Sequence, residues 1–266
     1  MGRYLRLLGL QLRTSALLAA QYRWDFLIDG VISVVWVITA AVPLLVVYAP
    51  GSGNRAGIPG WSFPESMVVI GWFILIQGIL DGAINPGLQQ VVEHIRKGTL
   101  DFVLLKPADS QFLVSTSRFQ LWRVSSLITA GVIFTLAFQR LGRAPSPGGI
   151  AMAAVLMVLA VMILYSLWIL IVSLAFYVVK VDNLTYLFGS IFDAARWPST
   201  VFRGVLRIVF TFVIPLALMT TWPAEALLGR LMPSTLLIAA VGALAFAAAS
   251  RSVWLLSLRR YTSAGG

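Results

Sequence analysis

The sequence predicts an all-α integral membrane protein with six transmembrane helices, an N-terminal amphipathic interfacial helix and a second amphipathic helix in a loop between spans. Three observations lead to this fold class. Of the 266 residues, 59% are hydrophobic and only 11% are charged, against about 25% charged in soluble domains. Long apolar runs recur along the chain, and Lys and Arg collect in alternate loops. The mean hydropathy of +0.89 fits a bilayer better than water.

The spans follow from the apolar runs. A helix that crosses a bilayer needs about 20 mostly apolar residues. Runs of this kind predict spans at 26–48, 67–84, 121–138, 150–179, 205–221 and 234–256. The fourth run is long enough to tilt or to project beyond the bilayer. Together they make residues 25–266 one six-span transmembrane domain.

Residues 1–24 precede the first span and predict an amphipathic interfacial helix. Arginines interrupt any apolar core here, which excludes a cleavable signal peptide. On a helical wheel one face carries Leu5, Leu8 and Leu12, and another carries Arg3 and Arg6. Such a helix lies in the cytoplasmic interface of the membrane, against lipids. A frayed basic tail is the alternative interpretation.

The distribution of Lys and Arg predicts the orientation, because cytoplasmic loops carry an excess of both. With the N-terminus inside, 16 of the 20 Lys and Arg residues fall on the cytoplasmic side. Those outside are Arg55, Arg140, Arg143 and Arg230. Both termini are therefore expected in the cytoplasm. The pI near 10.7 does not indicate a nucleic-acid partner, since the charges lie between apolar runs rather than on one basic face.

Two segments near the C-terminal half do not fit a simple span. Asp182, Asp193 and Arg196 interrupt the apolar stripe of 181–204, and Pro198 is expected to stop or kink a helix. We interpret 181–204 as a helix in the cytoplasmic-side interface, with a re-entrant element as the alternative. The prolines and short length of 221–232 predict an outer re-entrant segment that is buried in protein.

The loop at 85–118 holds the second amphipathic helix. Its apolar side carries Leu88, Val91, Val92 and Ile95. Its polar contacts come from Glu93, Arg96 and Lys97. Gly98 is placed to end the helix. A short helix of this kind fits a groove of a partner protein, with apolar anchors buried and charges at the rim.

The same loop carries a family resemblance. The stretch IRKGTLDFVLLKP at 95–107, followed by QFL at 111–113, resembles the cytoplasmic signature of the permease subunits of bacterial type-2 ATP-binding-cassette (ABC) exporters. So do YRWD at 22–25, ARWP at 195–198, FVIP at 212–215 and PAEALLG at 223–229. The resemblance covers nearly the whole chain.

The resemblance implies a function and a set of partners. Two permease subunits, identical or homologous, would pair with two copies of an ABC ATPase subunit in the bacterial cytoplasmic (inner) membrane. The cargo would be a hydrophobic or amphipathic compound such as a drug, natural product, lipid or glycan, exported by alternating access. Residues 87–97 would be the coupling helix that receives work from the ATPase.

The chain lacks the residues for several chemistries. No G-x-x-x-x-G-K-[ST] run is present, so ATP and Mg would be bound by the partner ATPase and the chain itself would need no cofactor. It has no cysteine, and His94, its one histidine, has no metal-ligand partners at suitable spacing. These absences disfavour a membrane-embedded enzyme. An ATP-independent secondary transporter and a structural subunit of a larger assembly stay open.

Three residues of the second span are further candidates. Asp81 is the most membrane-embedded carboxylate and therefore a candidate for the transport pathway. A structural role near the cytoplasmic end of the span, in contact with water or an arginine, is the alternative. Gly78 and Gly82 form a small-xxx-small pair, which suits either a dimer seam or internal helix packing, and internal packing is favoured.

Overall fold

The computed structural model describes residues 2–21, 42–49, 57–177 and 189–261, together with Ile28, Val31, Ile32, Val35, Thr39 and Tyr186. Regular structure in these parts of the chain is helical throughout. Four of the described helices are long and apolar enough to cross a membrane: Phe63–Arg96, Leu121–Leu141, Pro147–Phe176 and Pro233–Leu258. About half of the expected first span at 26–48, and the whole YRWD motif, lie outside the described residues.

The first of these four is a continuous helical rod. Helix α1 (Gly2–Gln21) precedes it along the chain, and α2 (Phe63–Ile79) starts the rod. Ser62 and Glu65 form a reciprocal capping box at its first turn. A π-helical turn, Leu80–Ile84, joins α2 to α3 (Asn85–Arg96) without a break. The rod therefore has a Glu65 end and a Lys97 end, and these names are kept below.

The remaining described helices complete a bundle. Short helices α4 (Asp101–Leu104) and α5 (Ser110–Ser115) follow the rod. Helix α6 (Val124–Leu141) returns antiparallel to α2, because Gly78 lies against Ser126 and Gly71 against Ile133. Helix α7 (Pro147–Ser173) then runs back to the Lys97 end.

The last helices close the bundle around α7. Helices α8 (Val205–Ile208) and α9 (Trp222–Leu227) are short, and α10 (Pro233–Leu258) is the last span. The most apolar stretches of the rod and of α7 are 56% buried, against 22% for α6 and 17% for α10. The rod and α7 are therefore central, and α6 and α10 present apolar surface outward.

Part of the predicted segment 181–204 lies outside the described residues, and over 189–221 the structure differs from the prediction. Phe192 stacks near Phe73, with ring centroids 5.5 Å apart, whereas Trp197 packs in a cluster with Ile58 and Trp61 at the Glu65 end. Residues 192–197 thus pass along the bundle rather than lying in an interface at the Lys97 end. The expected fifth span at 205–221 is also interrupted, because helical structure stops at Ile214 and Pro215. A proline cannot donate the backbone hydrogen bond that would continue the helix.

The position of Arg203 changes the predicted distribution of basic residues between the two ends of the bundle. Arg203 lines a hollow together with Gly57, Ile58 and Pro59, so it lies at the Glu65 end. The sequence had assigned it to the same side as Lys97, and that assignment is wrong. Basic residues of α1, of the 85–118 loop and of the end of α10 still gather at the Lys97 end.

The segment at 221–232 packs against the bundle at the Glu65 end. Residues Ala217–Thr221 are buried, and Ala226 lies against Gly149 at the start of α7. Arg230 then forms an ion pair with Glu65 and donates a hydrogen bond to the Gly60 carbonyl at 3.1 Å. This arrangement ties the segment to the first turn of α2.

Candidate functional site

The apolar side of α3 is covered by the chain itself. Leu88, Val91 and Val92 are buried in the main hydrophobic core, and Ile95 packs at its edge. The sequence had placed these side chains in a groove of a partner; in the structure the chain itself covers Leu88, Val91 and Val92, and their part in coupling stays a prediction. The physical reason is that α3 continues the rod, so its apolar stripe faces the same neighbours as the stripe of α2.

The polar residues of α3 face outward at the Lys97 end. Glu93, Arg96 and Lys97 are exposed, and Lys97 Nζ lies 2.6 Å from Glu93 Oε1 one turn away. His94 Nδ1 is hydrogen-bonded to Thr99 Oγ1 at 2.8 Å, which holds the turn after the helix. Glu93, Arg96 and Lys97 can therefore contact a partner protein while the hydrophobic core stays packed.

Two large apolar side chains stand out beside them. Phe102 is 70% exposed and Leu105 is 80% exposed, although both lie in or next to α4. Lys97 and Lys106 flank them with positive charge. The sequence pattern did not mark these two residues as anchors. The available signal was the apolar stretch at 99–107, which is too short to span a membrane and ends at Pro107.

A polar network joins this loop to two spans. Arg251 of α10 donates to Asp109 Oδ1 at 3.2 Å, to Asp109 Oδ2 at 2.6 Å and to Gln111 Oε1 at 2.8 Å. Gln111 Nε2 in turn donates to the Tyr165 hydroxyl of α7 at 3.0 Å, which also contacts Ser115 Oγ at 2.8 Å. We call this set of five residues the polar latch.

The electrostatics of the latch centre on Asp109. Partial burial acts to raise the pKa of Asp109. Hydrogen bonds from Arg251 and from the Phe112 N–H, with the positive charge of Arg251, outweigh this effect, so the pKa lies below its ordinary value. Asp109 also caps α5 through that Phe112 N–H, at 3.0 Å. One carboxylate thus orders the loop and binds α10.

Helix α1 lies against the same loop. The Asp109 N–H donates to the Tyr4 hydroxyl at 3.3 Å, and the Tyr4 and Phe112 rings pack edge to face with centroids 4.9 Å apart. The Phe119 N–H donates to Ser15 Oγ at 3.1 Å. Other parts of α1, such as Leu5 and Leu17, remain exposed. The interfacial position of residues 1–24 stays a prediction.

The three candidates on the second span contact α6 or the residue just before it, Arg123. A Cβ at Gly78 would come within 2.6 Å of Ser126 Cβ, and one at Gly82 within 3.2 Å of Arg123 Cβ. Both glycines therefore pack inside this chain. Asp81 Oδ1 accepts a hydrogen bond from Asn85 Nδ2 at 2.9 Å, and Asp81 Oδ2 lies 3.7 Å from an Arg123 nitrogen.

Within the described residues, no group of three or more His, Cys, Asp or Glu side chains is placed to hold a metal ion.

A comparison with known protein families finds a match over most of the chain. A family model described as an ABC-2 family transporter protein matches residues 34–265. No curated protein matches the chain, and no solved structure does. The matched range contains the rod, the 85–118 loop, the polar latch and the segment at 221–232.

Proposed function

Because this chain belongs to the ABC-2 family of transporter proteins, we propose that it is the membrane-spanning permease subunit of an ABC exporter powered by a separate ATPase. Membership of the family makes it the membrane component of an ABC transporter, and such components work in general with an ABC ATPase. We propose an assembly of two permeases, identical or homologous, and two ATPase subunits. ATP and Mg are bound by the ATPase.

The ATPase docks on the Lys97 end. The observation that carries this step is the pair of exposed apolar side chains, Phe102 and Leu105, beside the basic residues Lys97 and Lys106. Protein interfaces gain most of their affinity from a few large side chains that become buried, ringed by polar contacts. Glu93 and Arg96 would form part of that rim. The coupling function assigned to residues 87–97 is thus kept, with the apolar anchors moved to Phe102 and Leu105 at α4.

Movement of the docked loop reaches the membrane by two routes. Because the rod is one helix from Phe63 to Arg96, a displacement of α3 also moves α2. The polar latch carries the second route, since Asp109 holds Arg251 of α10 and Gln111 holds Tyr165 of α7. The ATPase therefore acts on three spans at once.

Alternating access completes the mechanism. ATP binding and hydrolysis shift the two permeases between states that open to opposite sides of the bilayer, and an amphipathic or hydrophobic cargo crosses between them. The segment at 221–232 serves as the outer gate. Its support is the ion pair of Arg230 with Glu65, which ties the segment to the end of the rod that is farthest from the ATPase.

The orientation is part of the proposal. The Lys97 end and both termini are cytoplasmic in a bacterial inner membrane, where basic residues of α1 lie near lipid headgroups. The clustering of basic residues at this end supports the orientation.

Co-purification with the cognate ATPase tests the docking surface. Phe102→Asp places a charge at a side chain that is 70% exposed, so the fold should survive while the complex is lost. Met232→Asp is the matched control, because Met232 is 71% exposed at the Glu65 end. Loss of the ATPase with Phe102→Asp alone supports the proposal. Equal retention of the ATPase by both variants would overturn it.

A further inference from the structure

A cavity of about 760 Å³ opens beside the π-helical turn of the rod. The rod and α7 form two of its walls, and the chain around Phe192 and Asp193 forms the third. It lies on the Lys97 side of the bundle, next to Leu88 and Val92 of α3. This volume is within the range of about 300–1,000 Å³ that is typical of sites for small organic ligands.

One wall of the cavity is a polar stripe on an otherwise apolar helix. Gln77, Asp81, Asn85 and Gln89 follow each other at intervals of four and all line the cavity. In a regular α-helix with 3.6 residues per turn, intervals of four drift steadily around the axis. The π turn Leu80–Ile84 holds more residues per turn, which reduces this drift and keeps the stripe on the cavity side.

Aromatic side chains also line the cavity. Trp168 of α7 and Phe192 border it, with their ring centroids 6.3 Å apart in an edge-to-face arrangement, but these residues are only 1% and 2% exposed. Tyr186 also lines it and is 81% exposed. The cavity therefore combines amides and carboxylates with an exposed aromatic ring.

The charges that line the cavity are of one sign. Among the described residues of its lining, the charged side chains are Asp81 and Asp193. Their arginine partners, Arg123 at 3.7 Å and Arg196 at 3.2 Å, do not line it. The Asp81–Arg123 distance is longer than the approximately 2.7–2.9 Å of a charge-assisted hydrogen bond. A cation in the cavity can thus approach Asp81 in competition with Arg123.

We propose that this cavity binds an amphipathic organic cation, with the positive group at Asp81 and the apolar body against Tyr186. The carboxylate supplies the charge, and the exposed Tyr186 ring adds cation–π and apolar contacts. The inference deepens the proposed function, since it gives the cargo a chemical class. Its binding step needs only this chain.

The test compares two ions of the same shape. Tetraphenylphosphonium and tetraphenylborate are tetrahedral, apolar and opposite in charge. Equilibrium dialysis against the purified chain in a neutral detergent, without the ATPase, measures the binding of each. The cation should bind and the anion should not. Asp81→Asn should weaken cation binding by about tenfold, which is the effect of losing one favourable charge contact in a partly buried site.

Two further variants distinguish a specific change in cation binding from misfolding of the protein. Arg123→Met keeps the aliphatic stem against Gly82 and removes the competing charge, so cation affinity should rise. Asp101→Asn removes a carboxylate in α4, away from the cavity lining, and should leave binding unchanged. A gain with Arg123→Met together with a loss in Asp81→Asn excludes simple misfolding as the cause.

Three outcomes would overturn the inference. They are equal binding of both ions, unchanged cation binding by Asp81→Asn, and equal losses of binding in Asp81→Asn and Arg123→Met. Because no ATPase is present in the assay, cation binding by a chain that fails to assemble with an ATPase would contradict the proposed function and leave this inference standing.

Discussion

Removing the Arg251 guanidinium tests the polar latch quantitatively. Arg251→Met keeps the length of the side chain and removes three hydrogen bonds, at 3.2, 2.6 and 2.8 Å. Breaking a fully buried ion pair costs about 3–5 kcal/mol. The two side chains here are 43% and 33% exposed, so water compensates Asp109 in part and the expected cost is about 1–2 kcal/mol.

Thermal unfolding in detergent measures this cost. We expect Arg251→Met to lower the unfolding midpoint by about 2–4 °C, and Arg259→Met, at the exposed arginine that follows the same helix, to change it little. In a double-mutant cycle, Asp109→Asn and Arg251→Met should be strongly non-additive because each removes the same pair. Additive costs would refute the view that these two residues act as one contact.

The pH dependence of the same pair gives an independent check. The pKa of Asp109 is depressed in the folded state. The pair therefore stabilises the fold fully above the unfolded value of about 3.9, and this contribution is lost as the pH falls through the folded pKa. The unfolding midpoints of the wild type and Arg251→Met should converge on acidification below about pH 4. A constant difference down to acidic pH would contradict this assignment.

Three further predictions follow from packing, topology and chemistry. Gly78→Ala should destabilise the protein by about 1–3 kcal/mol, since its Cβ would lie 2.6 Å from Ser126 Cβ, whereas Gly131→Ala, with no atom within 4 Å, should be neutral or slightly stabilising in the same unfolding assay. In this cysteine-free chain, an impermeant thiol reagent added to intact cells should label Ser146→Cys and not Lys97→Cys; the reverse pattern would invert the orientation. The purified chain without an ATPase should hydrolyse no ATP above background, and robust hydrolysis would contradict its assignment as a permease that depends on a separate ATPase.

The long spans were predictable because hydropathy depends on the length and apolarity of a run. The runs at 67–84, 121–138, 150–179 and 234–256 each correspond to one of the four long described helices. Hydropathy gives no information on where a run breaks. The run at 205–221 is as apolar as a span, yet Pro215 interrupts it, and the chain before it passes along the bundle.

The candidate site was predictable in position and not in detail. Periodicity identified the apolar side of α3, but it does not say what covers that side, and Leu88 and Val92 are covered by the chain itself. Phe102 and Leu105 formed no periodic pattern, so only their exposure in the fold marks them. The latch joins residues more than a hundred positions apart, such as Asp109 and Arg251, and no local pattern predicts such a pair.

Site-specific cross-linking tests the central claim, that the ATPase engages α4 and Leu105 just after it, most directly. Single cysteines at Leu105, Val92 and Met232 would carry a photoreactive thiol reagent in membranes that contain the cognate ATPase. Leu105→Cys should cross-link to the ATPase, while Val92→Cys, 7% exposed in wild type, and Met232→Cys at the opposite end should not. Cross-linking from Val92→Cys or Met232→Cys in place of Leu105→Cys would contradict the account.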